Sequence, residues 1–322
     1  MTEFLSKPIP RPQCADAVLM IRPAAFDYNP ETAVTNSLQQ LPAVIGAPVH
    51  NELARAEFQY LVNALESEGI TVCVVDDTLR PAKPDAVFPN NWVSFHVDGT
   101  VVLYPMHAPN RRLERRREVV DAAAAQSGFT IERVLDLSQH ELAGECLEGT
   151  GSLVLDHANR VAYAAVSPRT HPAVVTEWCR EMGYTPVIFA ATDRGGAPVY
   201  HTNVLLCIGE RFVVVGSEAI AEADRSRVLE RLRATGREVI EIGHQEIENF
   251  AGNMLELASW DEALGDCRVL VMSSSARQNL KPEAFARLSA CTDTVLAVPV
   301  PTIEQLSGGS VRCMLAEIFL PA

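Results

Sequence analysis

The segment "SGGSVRCMLAEIF", Ser307 to Phe319, places Cys313 directly behind a run of tiny residues and ahead of an alternating apolar stretch. A thiolate there can attack an electrophilic carbon, provided a base, an acid partner and a substrate pocket stand beside it. Without them a buried free cysteine is a small hydrophobe, and the chain has eight cysteines. Three other short stretches carry groups suited to such work: "DAVFPNNW" (Asp85 to Trp92), "LEGTGS" (Leu147 to Ser152) and "YHTN" (Tyr200 to Asn203). Taken singly, each has a plainer reading. His201 ahead of an apolar strand suits a structural histidine, and Glu148 suits a solvated loop acid.

What would bring these stretches together is a repeat. "GSLVLDHANRVAYAA" offers two β-rich runs around a turn, followed by the helical "HPAVVTEWCREMG" and the strand-like "YTPVIFA". "TNVLLCIGERFVVVG" is a second hairpin, "SEAIAEADRSRVLERLRATG" a helix with Ser217 as N-cap and Gly236 at its end, and "REVIEI" a strand. "NNWVSFHVDGTVVLYPM" and "AGNMLELA" with "CRVLVMS" begin two more copies, and a fifth is split, with "CMLAEIFLP" joining "ADAVLMIRP". Modules starting near Asn91, Ser152, Asn203, Asn253 and Cys313 recur every ~50 to 60 residues, in the range of repeat architectures. The expectation is an α/β ring with five-fold pseudo-symmetry, closed by pairing of the N- and C-terminal strands, which removes a free edge. The module starts would then converge on one axis. An ordinary α/β sandwich is the competing arrangement.

Length and composition narrow the function classes. A chain of 322 residues with 48% hydrophobic and 21% charged residues is globular. Residues 1–14, with the irregular "KPIPRPQ", are expected as an N-terminal extension to a single domain over 15–322. A net charge of -14 speaks against nucleic acid or an anionic membrane as partner. The basic cluster "NRRLERRRE" (Asn110 to Glu118) reads mainly as a solvated helix face, with one or two arginines free to hold a carboxylate. No apolar run suits a secretory signal or a membrane span, so a cytoplasmic protein is expected. The cysteines lack CxxC pairs, and HExxH, Walker and GxGxxG motifs are absent, so neither a metal nor another cofactor is expected.

With the four stretches in this order and at repeat spacing, the chain resembles the pentein superfamily of guanidino-group-modifying enzymes: arginine deiminase, dimethylarginine dimethylaminohydrolase and the amidinotransferases. Through "DAVFPNNWVSFH", "LEGTGSL" and "CMLAEIFLP" it is most similar to bacterial citrulline-utilisation hydrolases. The resemblance implies the five-bladed fold and a site in which Cys313 is the nucleophile, His201 the acid and base, and Glu148 the residue that orients the histidine or binds substrate nitrogens. It also implies that Asp85, Asn91 and Asn203 contact the substrate. Arg169 in "SPRTH", with Arg111 or Arg112, would hold an α-carboxylate. The small residues before Cys313 would let substrate approach the sulfur.

The chain departs from arginine-specific relatives where they carry two aspartates and it carries Asn91 and Asn203, and "EGTGS" stands where many have "EGGD". Neutral amides suit a ureido group better than a guanidinium. The resulting expectation is hydrolysis of citrulline, a small amino-acid substrate, to ornithine, carbon dioxide and ammonia. An amidinotransferase or arginine or methylarginine deiminase-type enzyme uses the same residues, and an inactive ligand-binding pentein is the reading from another class. Homo-oligomer formation is left open.

Overall fold

The computed structural model describes residues 12–42, 46–261 and 265–320. Strands β1 (Ala17–Arg22) and β2 (Thr71–Asp76) pair in parallel, and a right-sized crossover is supplied by the helix Ala47–Ser67. The following strands repeat one pattern. In each unit a first strand pairs antiparallel with a second, and the second pairs parallel with a third beyond a helix. The units are β3 (Val93–Phe95), β4 (Thr100–Leu103) and β5 (Arg133–Asp136); β6 (Val154–Asp156), β7 (Val161–Ala165) and β8 (Thr185–Phe189); β9 (Leu206–Ile208), β10 (Phe212–Val215) and β11 (Glu238–Glu241); and β12 (Leu255–Asp261), β13 (Gly265–Ser273) and β14 (Thr294–Val298). Strand β15 (Ala316–Ile318) pairs antiparallel with β1, Ala17 opposite Ile318, so the two ends of the chain complete one unit.

Middle strands such as "VAYAA" and "FVVV" are buried at every position, as continuous apolar runs between turns require. The hydrogen bonding does not draw five separate blades. Ile318 of β15 pairs with Phe95 of β3, which merges two units into a six-stranded sheet, and the described strands form four sheets in all.

Two local expectations are corrected. The helix after β10 is Glu222–Arg233, capped at Ala221, and Ser217 lies in the preceding turn because Gly216 to Ile220 fold back through local hydrogen bonds. Only the end of the basic cluster, Arg117 and Glu118, is a solvated helix face, at the start of the helix Arg117–Ser127. Pro109–Glu114 is a 3-10 turn that buries Arg111, while Arg115 and Arg116 reach Glu141 and Asp77. Of the expected N-terminal extension, residues 1–11 lie outside the described residues. Its last two residues pack onto the fold: Cys14 is buried, and Gln13 Nε2 donates to the carbonyls of Leu155 and Ile208.

The site is positioned by short turns that precede the first strands: Pro89–Asn91, Gly149–Ser152, Thr202–Val204 and Val311–Met314. The turn at 149–152 packs on those at 89–91 and 202–204, and 89–91 packs on 311–314. This approach is close enough to demand glycine at 149. Gly149 has φ +47°, and a Cβ there would lie 2.1 Å from the Asn90 carbonyl oxygen. Gly149→Ala combines left-handed strain with overlap against backbone that cannot rotate away, and should cost about 2–4 kcal/mol. Urea denaturation of the variant should show that loss, and an unchanged midpoint would refute the close-approach account.

Candidate active site

Cys313 is 3% exposed and lies on the turn Val311–Met314. Its Sγ is 3.3 Å from Asn253 Nδ2 and 3.6 Å from Asn203 Nδ2. The sulfur opens onto a pocket of about 270 Å³ whose lining includes Asp85, Asn91, Arg111, Arg169 and His201. Residues separated by more than two hundred positions in sequence thus share one small space: Asn91, His201 and Cys313 stand at or beside unit starts, and Arg111 and Arg169 follow the second strands of their units.

His201, at the entry to the turn Thr202–Val204, brings Nε2 to 2.8 Å from Glu148 Oε2. Glu148 is fully buried behind it. Its Oε1 accepts from the His107 backbone N–H at 3.0 Å, and its Oε2 lies 3.5 Å from Arg169 Nη1 and 3.9 Å from Arg111 Nη1. Burial by itself would raise the Glu148 carboxyl, but Arg169, the His201 hydrogen bond and Arg111 together hold it well below the usual carboxylate range. Burial pushes His201 down to about 4 against the pull of Glu148, and Arg169 and Arg111 push the same way. The imidazole is therefore neutral near pH 7. With Nε2–H donated to the carboxylate, Nδ1 keeps the basic lone pair.

The arginines divide. Arg111 donates Nε and Nη2 to the two oxygens of Glu114 at 3.0 and 2.9 Å, and Nη1 to Asn91 Oδ1 at 2.7 Å. Arg112 lies outside the pocket lining. It bonds to the Met106 carbonyl at 3.1 Å and faces Glu141, because successive residues of the 3-10 turn point in different directions. Arg169 donates Nε to Thr35 Oγ1 at 2.9 Å and Nη2 to the Thr32 carbonyl at 2.8 Å, with its guanidinium 5.0 Å from the Tyr200 ring centroid.

Asp85 accepts from Asn29 Nδ2 at 2.6 Å and Thr32 Oγ1 at 3.0 Å on Oδ2, whereas its buried Oδ1 has no hydrogen-bond partner among the described residues. Asn203 reaches the sulfur but is not part of the pocket lining, and Asn91 is held by Arg111.

The motif reading missed three contributors. Thr32 and Asn36 come from the segment after β1, which has no repeat signature. Asn253 stands at a recognised module start, and that position was the signal. The small residues before Cys313 divide: Ser307 and Gly309 line the pocket, whereas a Cβ on Gly308 would lie 2.7 Å from Asn36 Nδ2, so that glycine admits the 29–39 segment.

A family model described as N,N dimethylarginine dimethylhydrolase, eukaryotic, matches residues 22–320. The chain belongs to this family of carbon–nitrogen hydrolases, within the pentein superfamily of arginine-modifying enzymes. No curated protein matches its sequence significantly. Among solved structures, a mutant N-terminal domain of ArgZ bound to substrate, from an arginine dihydrolase of the ornithine-ammonia cycle in cyanobacteria, is 18% identical with a TM-score of 0.72, covering 95% of this chain and 98% of that one. A mutant of AgrE in complex with L-arginine is 18% identical with a TM-score of 0.71, covering 95% of this chain and 40% of AgrE. A mutant dimethylarginine dimethylaminohydrolase, as its adduct with S-methyl-L-thiocitrulline, is 16% identical with a TM-score of 0.64, covering 94% and 99%. At these identities the likeness is one of fold. No helix among the described residues is long and apolar enough to cross a membrane, and no cluster of metal-binding side chains is found among them.

The state of His201 carries a pH prediction. The unfolded chain takes up a proton near the ordinary value of 6.5, which the folded site refuses until about 4. Stability from this group is therefore complete above 6.5 and is lost as pH falls toward 4, by about 3 kcal/mol over the window. His201→Gln, which can still donate to Glu148, should lose less stability across the same pH range than wild type. Parallel thermal melts test this, and identical pH slopes would contradict it.

Proposed function

We propose that the protein is a single-domain cysteine hydrolase, with its units set around one axis as a five-fold propeller, that converts citrulline to ornithine, carbon dioxide and ammonia. The observation that carries the substrate choice is the setting of the sulfur, where the contacting side chains are neutral carboxamides. A ureido group is neutral, and its N–H and C=O groups match such partners. The unpartnered Asp85 Oδ1 in the same pocket supplies an acceptor for a terminal N–H.

The chemistry needs no group beyond these side chains. The Cys313 proton passes to His201, the sulfur bonds to the ureido carbon, and the C–N bond to the ornithine side chain breaks as His201 returns the proton to the departing nitrogen. Water, deprotonated by His201, then cleaves the S-carbamoyl bond and releases carbamate, which decomposes to ammonia and carbon dioxide. Arg169 is the proposed partner of the substrate α-carboxylate. Because Thr32 and Thr35 hold it in this structure, carboxylate binding exchanges those contacts.

Arginine or a methylated arginine is the second reading, favoured by Asp85, whose carboxylate could pair with a guanidinium. A product assay separates the readings. Ornithine formed from citrulline without an amine acceptor supports the proposal, whereas turnover of arginine alone, or only with an acceptor amine, overturns it. Cys313→Ser should lose more than about a thousandfold in kcat with the fold intact. His201→Ala should at most accumulate a slow adduct, detectable by intact-protein mass spectrometry. Wild-type turnover in either variant would mean that the nucleophile or base lies elsewhere.

The two asparagines should differ as selectors. An aspartate at position 91 would pair with Arg111, which already donates to Asn91 Oδ1, so its charge would be neutralised before substrate arrived. Asn203→Asp, in the Cys313→Ser background, should shift the ratio of arginine to citrulline affinity upward by about tenfold, and Asn91→Asp by much less. Calorimetric titration of both ligands reads the ratio, and equal shifts at the two positions would refute the role given to Arg111.

A further inference from the structure

Asn253 is 1% exposed and makes three contacts whose directions leave its orientation no freedom. Its Oδ1 accepts from the Arg312 backbone N–H at 3.1 Å, and its Nδ2 donates to the Asn203 carbonyl at 3.1 Å. The Arg312 N–H can be met only by the amide oxygen and the Asn203 carbonyl only by the amide N–H, so the carboxamide cannot be turned over. Its Nδ2 must therefore also face Cys313 Sγ, at 3.3 Å. Asn203 Nδ2 adds a longer approach at 3.6 Å, and its Oδ1 lies 3.9 Å from the sulfur as an acceptor for the thiol.

The charged groups around the sulfur are engaged elsewhere. His201 is bound to Glu148, Arg111 to Glu114 and Asn91, and Arg169 to Thr32 and Thr35. Arg312, next to Cys313 on its own turn, donates to the Leu315 carbonyl and to Glu317. Asp85 and Tyr200 line the same pocket, and Tyr200 Oη donates to the Gly308 carbonyl. When the thiol proton moves to His201 the electron pair stays on sulfur. Besides the imidazolium so formed, the groups in contact with the sulfur that can meet its new charge are N–H donors of neutral amides.

We propose that Asn253 is a catalytic residue that stabilises the Cys313 thiolate by N–H donation, with Asn203 in support. The inference rests on Cys313 being the nucleophile of the proposed hydrolase, but not on which substrate it attacks. A neutral ureido substrate brings no positive charge of its own to the sulfur, so this donation is supplied by the protein. The contact with the Arg312 backbone also couples the donor to the turn carrying the nucleophile, which keeps the Nδ2 to Sγ approach in register.

Asn253→Asp tests the proposal. It is isosteric and keeps the acceptor for the Arg312 N–H, but it replaces the donor to sulfur and to the Asn203 carbonyl with a negatively charged oxygen, so Asn253→Ala, which adds no charge, isolates the loss of the donor. Alkylation of Cys313 by iodoacetamide, followed by mass spectrometry of its peptide, should be at least about tenfold slower than wild type at about pH 7, with the gap narrowing as pH rises. Asn253→Ala should show a smaller effect in the same direction, and it carries the test if the aspartate variant does not fold. A folded variant that alkylates at the wild-type rate throughout, or whose rate is altered by one constant factor at every pH, overturns the proposal. The second outcome would indicate altered access to the sulfur. No substrate enters this measurement, so failure of the citrulline assay and failure of this inference are separately visible.

Discussion

A buried carboxylate, Glu148, is the group on which the arrangement of the site depends. Taking a carboxylate out of water costs several kcal/mol unless partners replace its hydration. Glu148 finds them in the His107 backbone N–H, the His201 imidazole and the guanidinium groups of Arg169 and Arg111. These partners belong to segments well separated in the chain. The carboxylate can be buried as an anion only when those segments have assembled, and once it is, the ring nitrogen of His201 that carries the proton is decided. One electrostatic requirement thereby links assembly of the fold to the tautomer of His201.

The same balance sets the polarity of the pocket. Arg111 and Arg169 stand beside the pocket, but Glu114, Asn91, Thr35 and backbone carbonyls take up their hydrogen bonds, and Glu148 faces both as an ion-pair partner. Asn91 is drawn into this network by Arg111 and ceases to be an independent reader of substrate charge. The region next to the sulfur is left to carboxamides, so Cys313 stands in a neutral, polar setting. Low local dielectric strengthens each of these N–H contacts compared with the same contact in water.

The strand-start turns make this proximity achievable. Tight packing of the turns at 89–91, 149–152, 202–204 and 311–314 needs residues without side-chain bulk where backbones meet, and Gly149 meets that need beside Asn90. The segment from Asn29 to Gln39 then covers the pocket, anchored by Asn36 to the Ser307 carbonyl and by Thr32 to Asp85. The pocket is thus built by a repeated scaffold and finished by a segment that belongs to no repeat.

The sequence by itself determined the strand and helix alternation, the pairing of the chain ends, and the gathering of Cys313, His201 and Glu148, because these follow from local periodicity and from equivalent positions in a repeat. It also placed Asn253 at a module start without revealing its use, since an asparagine's role depends on which way its amide faces. Only the tertiary structure decided that Arg111 and not Arg112 faces the pocket, that Asn91 answers to Arg111, and that Ile318 joins two units into one sheet. The direction of a side chain on a 3-10 turn and the choice among hydrogen-bond partners are set by neighbours distant in sequence, and periodicity carries no information about those neighbours.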